Sequence, residues 1–369
     1  MSEIKKLIER LCPDGVEYKK LGEVLDYEQP SKYIVSSKDY LDEGIPVLTA
    51  GQTFILGYTD EDTGIYRASK EKPVIIFDDF TTSFHWVTFD FKVKSSAMKM
   101  LRPINNEINF RFIYYAMKCI KYETADHARQ WISKYSLFEI PVPPIEVQSK
   151  IVEILDNFTE LEAELEAELE ARRKQYEYYR NQLLTFDKVG GARFERLGDV
   201  CKIERGVRVV RKDLESNGDI PVYQNSLTPL GYYMKSNYPE NTPFIICGGG
   251  AGQIGFSTKP YWAADDCFSI VCSDILNSKF VYYSMLNKNN YFISRVRKAS
   301  IPRLSRSSVE SFEIAIPPLS EQERIVSILD RFEALTTDLQ SGLPAEIEAR
   351  RKQYEYYREQ LLTFKRKTA

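Results

Sequence analysis

Two sets of polar side chains in this chain of 369 residues could engage a partner, and both are donors and acceptors rather than nucleophiles. In the first half they are Gln52-Thr53, Thr81-Thr82-Ser83-Phe84-His85 and the stretch His127-Ala-Arg129-Gln130-Trp131-Ile132-Ser133-Lys134. In the second they are Arg208, Gln224-Asn225-Ser226, Gly249, Gln253 and Lys298-Ala-Ser300-Ile301-Pro302-Arg303-Leu304-Ser305-Arg306. Amides and hydroxyls of this kind hydrogen-bond base edges, while cations hold phosphates. Residues 288–309 carry Lys288, Arg295, Arg297, Lys298, Arg303 and Arg306 with no acid, and Arg193 to Lys212 holds seven cations against three acids. Arg297, Lys298 and Arg303 are therefore read as phosphate contacts.

The same search finds no catalytic machinery. There is no G-x-S-x-G, no H-E-x-x-H and no phosphate loop with its Lys and Ser/Thr, so Gly248-Gly249-Gly250-Ala251-Gly252 resembles a phosphate cradle only superficially. Both Pro-Pro pairs precede Ile145 or Leu319, which is not the Asn- or Asp-Pro-Pro-aromatic pattern of amino-methyltransferases. Six cysteines without a C-x-x-C pair, and two histidines, leave a zinc site short of ligands. Asp78-Asp79 could seed a metal site, but Cys247-Gly248 stands in that place in the second half, so the pair is read as variable loop residues.

What positions these residues is a tandem duplication. Glu170 to Phe186 returns as Glu348 to Phe364, 17 residues that differ only where Asn181 becomes Glu359. Pro143-Pro144-x-x-x-Gln148 and Ile154-Leu155-Asp156 match Pro317-Pro318-x-x-x-Gln322 and Ile328-Leu329-Asp330. From Ile145 to Phe186 there is no Pro or Gly, and Ile151, Ile154, Phe158, Leu161, Leu165, Tyr176, Tyr179 and Leu183 recur at helical spacing. One long helix is expected there, about 60 Å in length. Its copy should pair with it antiparallel and break at Ser341-Gly342-Leu343-Pro344. Ser320-x-x-Glu323 has the form of a capping box. The three Leu-Glu-Ala units beginning at Leu161, Leu165 and Leu169 recur every four residues and could act as a ruler.

The fold class that follows is α+β: two similar globular domains, 1–144 and 187–317, each followed by helical segments, 145–186 and 318–369, which form an antiparallel rod with a pseudo-twofold repeat. Each domain mixes apolar runs such as Val74-Ile75-Ile76-Phe77 and Phe244-Ile245-Ile246-Cys247 with one helix near its end, Asn109 to Lys121 and Ser278 to Asn287. The net charge of −3 conceals a division: residues 146–170 sum to −8 and residues 319–349 to −5, which leaves +10 for the rest. Basic globular parts and acidic rods suit a polyanionic partner. There is no charged leader and no apolar run of about 18 residues, so a cytoplasmic location is expected.

Two variable domains, each followed by a helix entered through Pro-Pro-x-x-x-Gln and closing with Arg-Arg-Lys-Gln-Tyr-Glu-Tyr-Tyr-Arg-x-Gln-Leu-Leu-Thr-Phe, resemble the specificity subunit of type I restriction-modification systems. The resemblance covers nearly the whole chain. It implies that each globular part reads one half of a split, asymmetric DNA target. It also implies that the helices dock two methyltransferase subunits, with restriction subunits beside them, through Tyr176, Tyr179, Arg180, Tyr354, Tyr357 and Arg358. S-adenosylmethionine, ATP and Mg²⁺ would belong to those partners and not to this chain. The rival reading is a coiled-coil adaptor whose basic domains serve something other than DNA.

Overall fold

The computed structural model describes residues 2–51, 53–124, 128–187, 193–215, 217–337 and 341–368. They fall into two compact units, Met1–Glu164 with Ile347–Ala369, and Leu165–Glu346. Each unit therefore takes half of the first long helix and one piece of its copy.

In the first unit a four-stranded antiparallel sheet runs in the order Leu25–Glu28, Met98–Pro103, Val74–Asp78, Phe84–Val87. A second sheet orders Ile55–Thr59, Ile45–Leu48 and Lys92–Val93, and the pair Glu17–Lys20 with Glu139–Val142 closes the domain. The apolar run Val74 to Phe77 is wholly buried at the centre, as its composition requires. The second unit repeats the plan: Cys201–Arg205, Cys267–Cys272, Thr242–Ile246, Ile254–Ser257 in one sheet, Gly231–Tyr233, Ile220–Tyr223, Trp262–Ala263 in the other, and Arg193–Arg196 paired with Glu313–Ile316. The mixed helix and strand architecture is as the duplication predicts.

The long helix spans Ile145–Leu183, 39 residues. Its copy is split into Leu319–Thr337 and Leu343–Leu362, with Pro344 in the first turn of the second piece, where its missing N–H costs nothing. Two local expectations are corrected. Ser320 is not a helix cap, because the helix already begins at Leu319 and the Pro318 carbonyl accepts from the N–H of Glu321 and Gln322 at 2.9 and 3.1 Å. The helix expected from Asn109 to Lys121 is Phe110–Met117, capped by the Asn109 side chain; Cys119 and Ile120 turn tightly onto the carbonyls of Ala116 and Met117.

The repeated motifs seat the helices. Gln148 is buried; its Oε1 accepts from the Asn109 N–H at 2.8 Å and its Nε2 donates to the Pro143 carbonyl at 2.7 Å. Gln322 does the same with Asn277 and Pro317, both at 2.8 Å. About two turns further on, the Tyr115 hydroxyl donates to Asp156 at 2.5 Å with Arg111 at 2.8 Å from the same carboxylate, and Tyr283 and Lys279 repeat this on Asp330. These contacts explain why Gln and Asp recur at fixed positions in otherwise divergent domains.

In the first unit Ile151 and Leu155 share a core with Tyr354, Leu361 and Leu362, Phe158 lies 5.5 Å from the Tyr357 ring, and Glu162 pairs with Arg351 at 2.5 Å, an antiparallel run. In the second unit Tyr176 and Tyr179 pack on Phe332. The chain's end also returns to its beginning: the Tyr18 hydroxyl donates to the Phe364 carbonyl at 2.8 Å, and Val16 exchanges backbone bonds with Lys365 and Lys367. No helix among the described residues is long and apolar enough to cross a membrane.

Candidate nucleic-acid interface

Three loops meet at one end of each main sheet. In the first unit the hairpin turn 78–84 is the hub. The Asp78 carboxylate accepts from the N–H of Phe80 and Thr81, both at 2.9 Å, which turns the chain through Thr82 at φ +59°. Ser83 Oγ donates to the Ala50 carbonyl at 2.6 Å, and His85 Nε2 lies 3.1 Å from the Gly51 carbonyl with its ring stacked on Phe54 at 4.5 Å. The loop carrying Thr53 is thereby fixed against the hairpin.

Asp79 fixes the third loop. Its backbone carbonyl accepts from the Gln130 N–H at 2.8 Å, and its Oδ1 accepts from the Trp131 N–H at 2.9 Å. Oδ2 faces Lys99 Nζ at 3.1 Å, both side chains having 1% exposure or less, and the half-exposed Arg129 reaches within 4.0 Å. Neither Asp79 Oδ2 nor Lys99 Nζ makes a hydrogen bond, so charge pairing, with the Tyr27 ring 5.4 Å from Lys99 Nζ, offsets their burial. Asp79 is thus an anchor and not a variable loop residue, and among the described residues no cluster of His, Cys, Asp or Glu could hold a metal.

The second unit builds the same junction from different side chains. Cys247 takes the place of Asp79: its N–H donates to the Asp266 carbonyl and its carbonyl accepts from Leu304. Gly249 and Gly252 have φ of +75° and +93°, and Gly250 donates to the Asn225 carbonyl at 2.8 Å. A Cβ on Gly249 would lie 2.9 Å from that of Asn225, so the glycine run serves a close approach of two loops. Gly249 also donates to the Pro302 carbonyl at 3.2 Å, which brings in the basic loop.

The structure sorts the residues read from sequence. Thr53, Thr81, Arg129, Arg208, Asn225, Gln253, Arg297, Lys298 and Arg303 are exposed on or beside these junctions; Ser83, His85, Lys134, Gln224 and Gly249 are half-buried. Thr82 and Gln130 are buried, a correction: Gln130 Nε2 donates to the Ala128 carbonyl and its Oε1 accepts from Tyr122, so it shapes the loop. Gln52 and His127 lie outside the described residues. Arg303 is not a cation without acids nearby, since its Nη1 is 2.6 Å from Asp266. Arg205, Arg303, Ser305 and Arg306 line a cleft of about 340 Å³, and Arg196, Lys288, Arg295 and Ser308 another of about 600 Å³, in which Arg295 sits 3.6 Å over the Tyr291 ring. Sequence reading missed Tyr291 and Ser308, whose types carry no charge signal.

The helix residues expected to dock partners also pack within their own units. Tyr176, Tyr179, Tyr354 and Tyr357 spend their rings on Phe332 and Phe158 of their own units, and Arg180 and Arg358 lie over Tyr176 and Tyr354. Tyr179 is still 39% exposed, and Tyr178 and Tyr356 are 60% and 61% exposed.

The family model for the type I restriction modification DNA specificity domain matches twice, over residues 13–171 and 192–349. A type I restriction enzyme specificity subunit of Escherichia coli is 40% identical over 398 aligned positions, covering 99% of this chain and 98% of that protein. A putative type I restriction enzyme specificity subunit of Haemophilus influenzae is 33% identical, covering 99% and 100%. Among solved structures, the S subunit of a type I restriction-modification system from M. genitalium superposes with a TM-score of 0.62 at 17% identity, covering 94% of this chain and 95% of that one. A chain from a study of complex assembly and conformational transition of the type I system superposes at 0.59 with 14% identity, covering 95% and 98%. A doubled junction of loops on a doubled frame, matched twice by one family and end to end by these relatives, makes the chain a member of the type I restriction-modification specificity subunits.

Proposed function

We propose that the chain reads a bipartite, asymmetric DNA sequence and performs no catalytic step itself. The observation that carries this reading is the three-loop junction, present in both units on one topology but lined by Thr53, Thr81 and Arg129 in one and by Asn225, Gln253 and Arg297 in the other. A shared frame with unlike side chains suits two readers of unlike half-sites. Residues 1–144 and 187–317 would be the recognition domains, and 145–186 and 318–369 the spacer helices.

The helices would dock two copies of a methyltransferase subunit and, through them, restriction subunits. Packing accounts for the identity of Tyr176 with Tyr354 and of Tyr179 with Tyr357, but not for that of exposed Glu177, Tyr178 and Gln182 with Glu355, Tyr356 and Gln360. Identical exposed residues on duplicated helices, in domains that have otherwise diverged, fit one partner bound twice. The Tyr178–Tyr179 and Tyr356–Tyr357 ring pairs, at 5.5 and 5.4 Å, present the exposed tyrosines alike. S-adenosylmethionine, ATP and Mg²⁺ would be bound by those partners.

Methylation sequencing of cells that express this chain with a methyltransferase subunit of its system tests the reading. A split motif that disappears when this chain is deleted supports it. Methyl transfer by the purified chain alone, or a motif without a gap, overturns it.

A further inference from the structure

Cys201 and Cys272 stand directly opposite each other on neighbouring antiparallel strands, Cys201–Arg205 and Cys267–Cys272. Further along the pair, Gly206 donates to the Cys267 carbonyl at 3.0 Å, which makes 206 and 267 a hydrogen-bonded pair. Such pairs alternate with non-bonded ones, so five steps on, Cys201 and Cys272 occupy a non-bonded position, where Cα atoms approach to about 4.5 Å and side chains come closest. That spacing falls inside the range a disulfide spans. The two thiols are free; Cys201 is buried and Cys272 half-buried. The Cys272 thiol otherwise faces the Ile270 carbonyl at 3.9 Å.

We propose that Cys201 and Cys272 form a redox-active dithiol that a hydroperoxide closes into a cross-strand disulfide. The Cys272 sulfur, deprotonated, attacks the O–O bond; the bond breaks, sulfur is oxidised to sulfenic acid, and the departing hydroxide takes the thiol's proton and leaves as water. Cys201 sulfur then displaces the sulfenic hydroxyl, which takes the Cys201 proton and leaves as a second water. The two thiols lose two electrons to the peroxide.

The direction of attack follows from the surroundings. Cys272 is half-buried and Cys201 buried, so a peroxide reaches Cys272 first; its pairing with Cys201 also lowers the pKa of the Cys272 thiol, and the same pairing, with burial, raises that of Cys201. The other thiols of this domain do not compete. Cys247 and Cys267 are buried, burial raises both, and the Cys267 thiol lies 3.2 and 3.3 Å from the carbonyls of Gln224 and Tyr223.

The consequence is confined to one domain. In the first unit the corresponding strand pair sets Leu25 opposite Pro103, so no such clasp can form there. Cys201 lies at the far end of its strand from Arg205 and the loop junction, so closure fastens the edge strand without moving the loops. Oxidation should therefore raise the unfolding temperature of the second domain and leave half-site preference unchanged.

The test is peptide mapping of the full chain after mild hydrogen peroxide treatment and alkylation under denaturing conditions. The expected result is a linked peptide joining Cys201 to Cys272, reversed by dithiothreitol, with the other four thiols alkylated, and absent in Cys201→Ser and in Cys272→Ser. A Cys272 that proceeds to sulfinic acid with Cys201 still reduced, a disulfide to any other cysteine, or two unreacted thiols overturns the proposal. Because the primary readout uses the unmodified chain, a variant that fails to fold leaves it decisive.

Discussion

Gln148 Oε1 accepts the backbone N–H of Asn109 at 2.8 Å, and the same contact joins Gln322 to Asn277 in the second copy. One buried amide therefore joins each globular part to the helix that follows it. It also donates to the carbonyl of the first residue in the Pro-Pro pair. Replacing Gln148 with Leu leaves a buried N–H and a buried carbonyl unpaired, which should cost about 2–4 kcal/mol. Denaturant unfolding followed by a probe in the first unit checks this; an unchanged midpoint would mean that water replaces the amide at no cost.

Lys99 and Asp79 form a buried pair in the first unit, with Cys247 in the place of Asp79 in the second. Lys99→Met strands the carboxylate and should destabilise by about 3–5 kcal/mol. Adding Asp79→Asn keeps an acceptor for the Trp131 N–H without the charge, so the double variant should recover most of the loss. If the double variant is as unstable as the single one, packing and not charge holds the site.

Lys92 Nζ lies 2.7 Å from Glu61, and this ion pair, with the Ser36 and Ser37 N–H groups, holds the Glu61 carboxyl below its usual range. A carboxyl depressed in the folded state contributes stability that is fully present above the ordinary Glu value and lost as pH falls below it through the lowered one. Glu61→Gln should be less stable than the parent at neutral pH, and the difference should vanish on acidification. A gap that stays constant to pH 3 or so, below the carboxylate range, would remove the ion pair from the account.

Arg297 and Lys298 are exposed beside the second junction, whereas Arg303 is tied to Asp266. Replacing Arg297 or Lys298 with Ala should weaken DNA binding across all sequences and lower the salt slope by about one. Arg303→Ala should also disturb the loop, because Asp266 loses its partner, so its loss should exceed theirs. Binding curves at several salt concentrations separate these cases; a loss at one base pair only would make the residue a base reader.

Much of this was legible in the chain because duplication marks what a frame requires. The Pro-Pro-x-x-x-Gln motif and Asp156 with Asp330 recur because buried hydrogen bonds fix them. The inward packing of the tyrosines was not legible: a run in which Tyr176, Tyr178 and Tyr179 all repeat does not say which ring meets Phe332 or, in the second copy, Phe158, both distant in sequence. Nor did the sequence show that Gln130 and Thr82 point inward, because short loops follow local anchors such as Asp78 and Asp79 more than residue type. The return of the chain's end to Tyr18 lacked any periodic signal.

The Leu-Glu-Ala units straddle the division between Glu164 and Leu165. Deleting residues 165–168 preserves the helix but shortens it by about 6 Å and turns it by about 40°. A base-pair step is about 3.4 Å with ten or so steps per turn. The gap in the methylated motif should shrink by about one base pair while both half-sites persist; an unchanged gap would make the repeat a stable helix and nothing more.

Whether each unit reads its own half-site is tested by methylation sequencing after exchanging residues 187–317 for those of a relative with a different target. One new half-site is expected, with the other half and the gap unchanged. A change in both halves would contradict it.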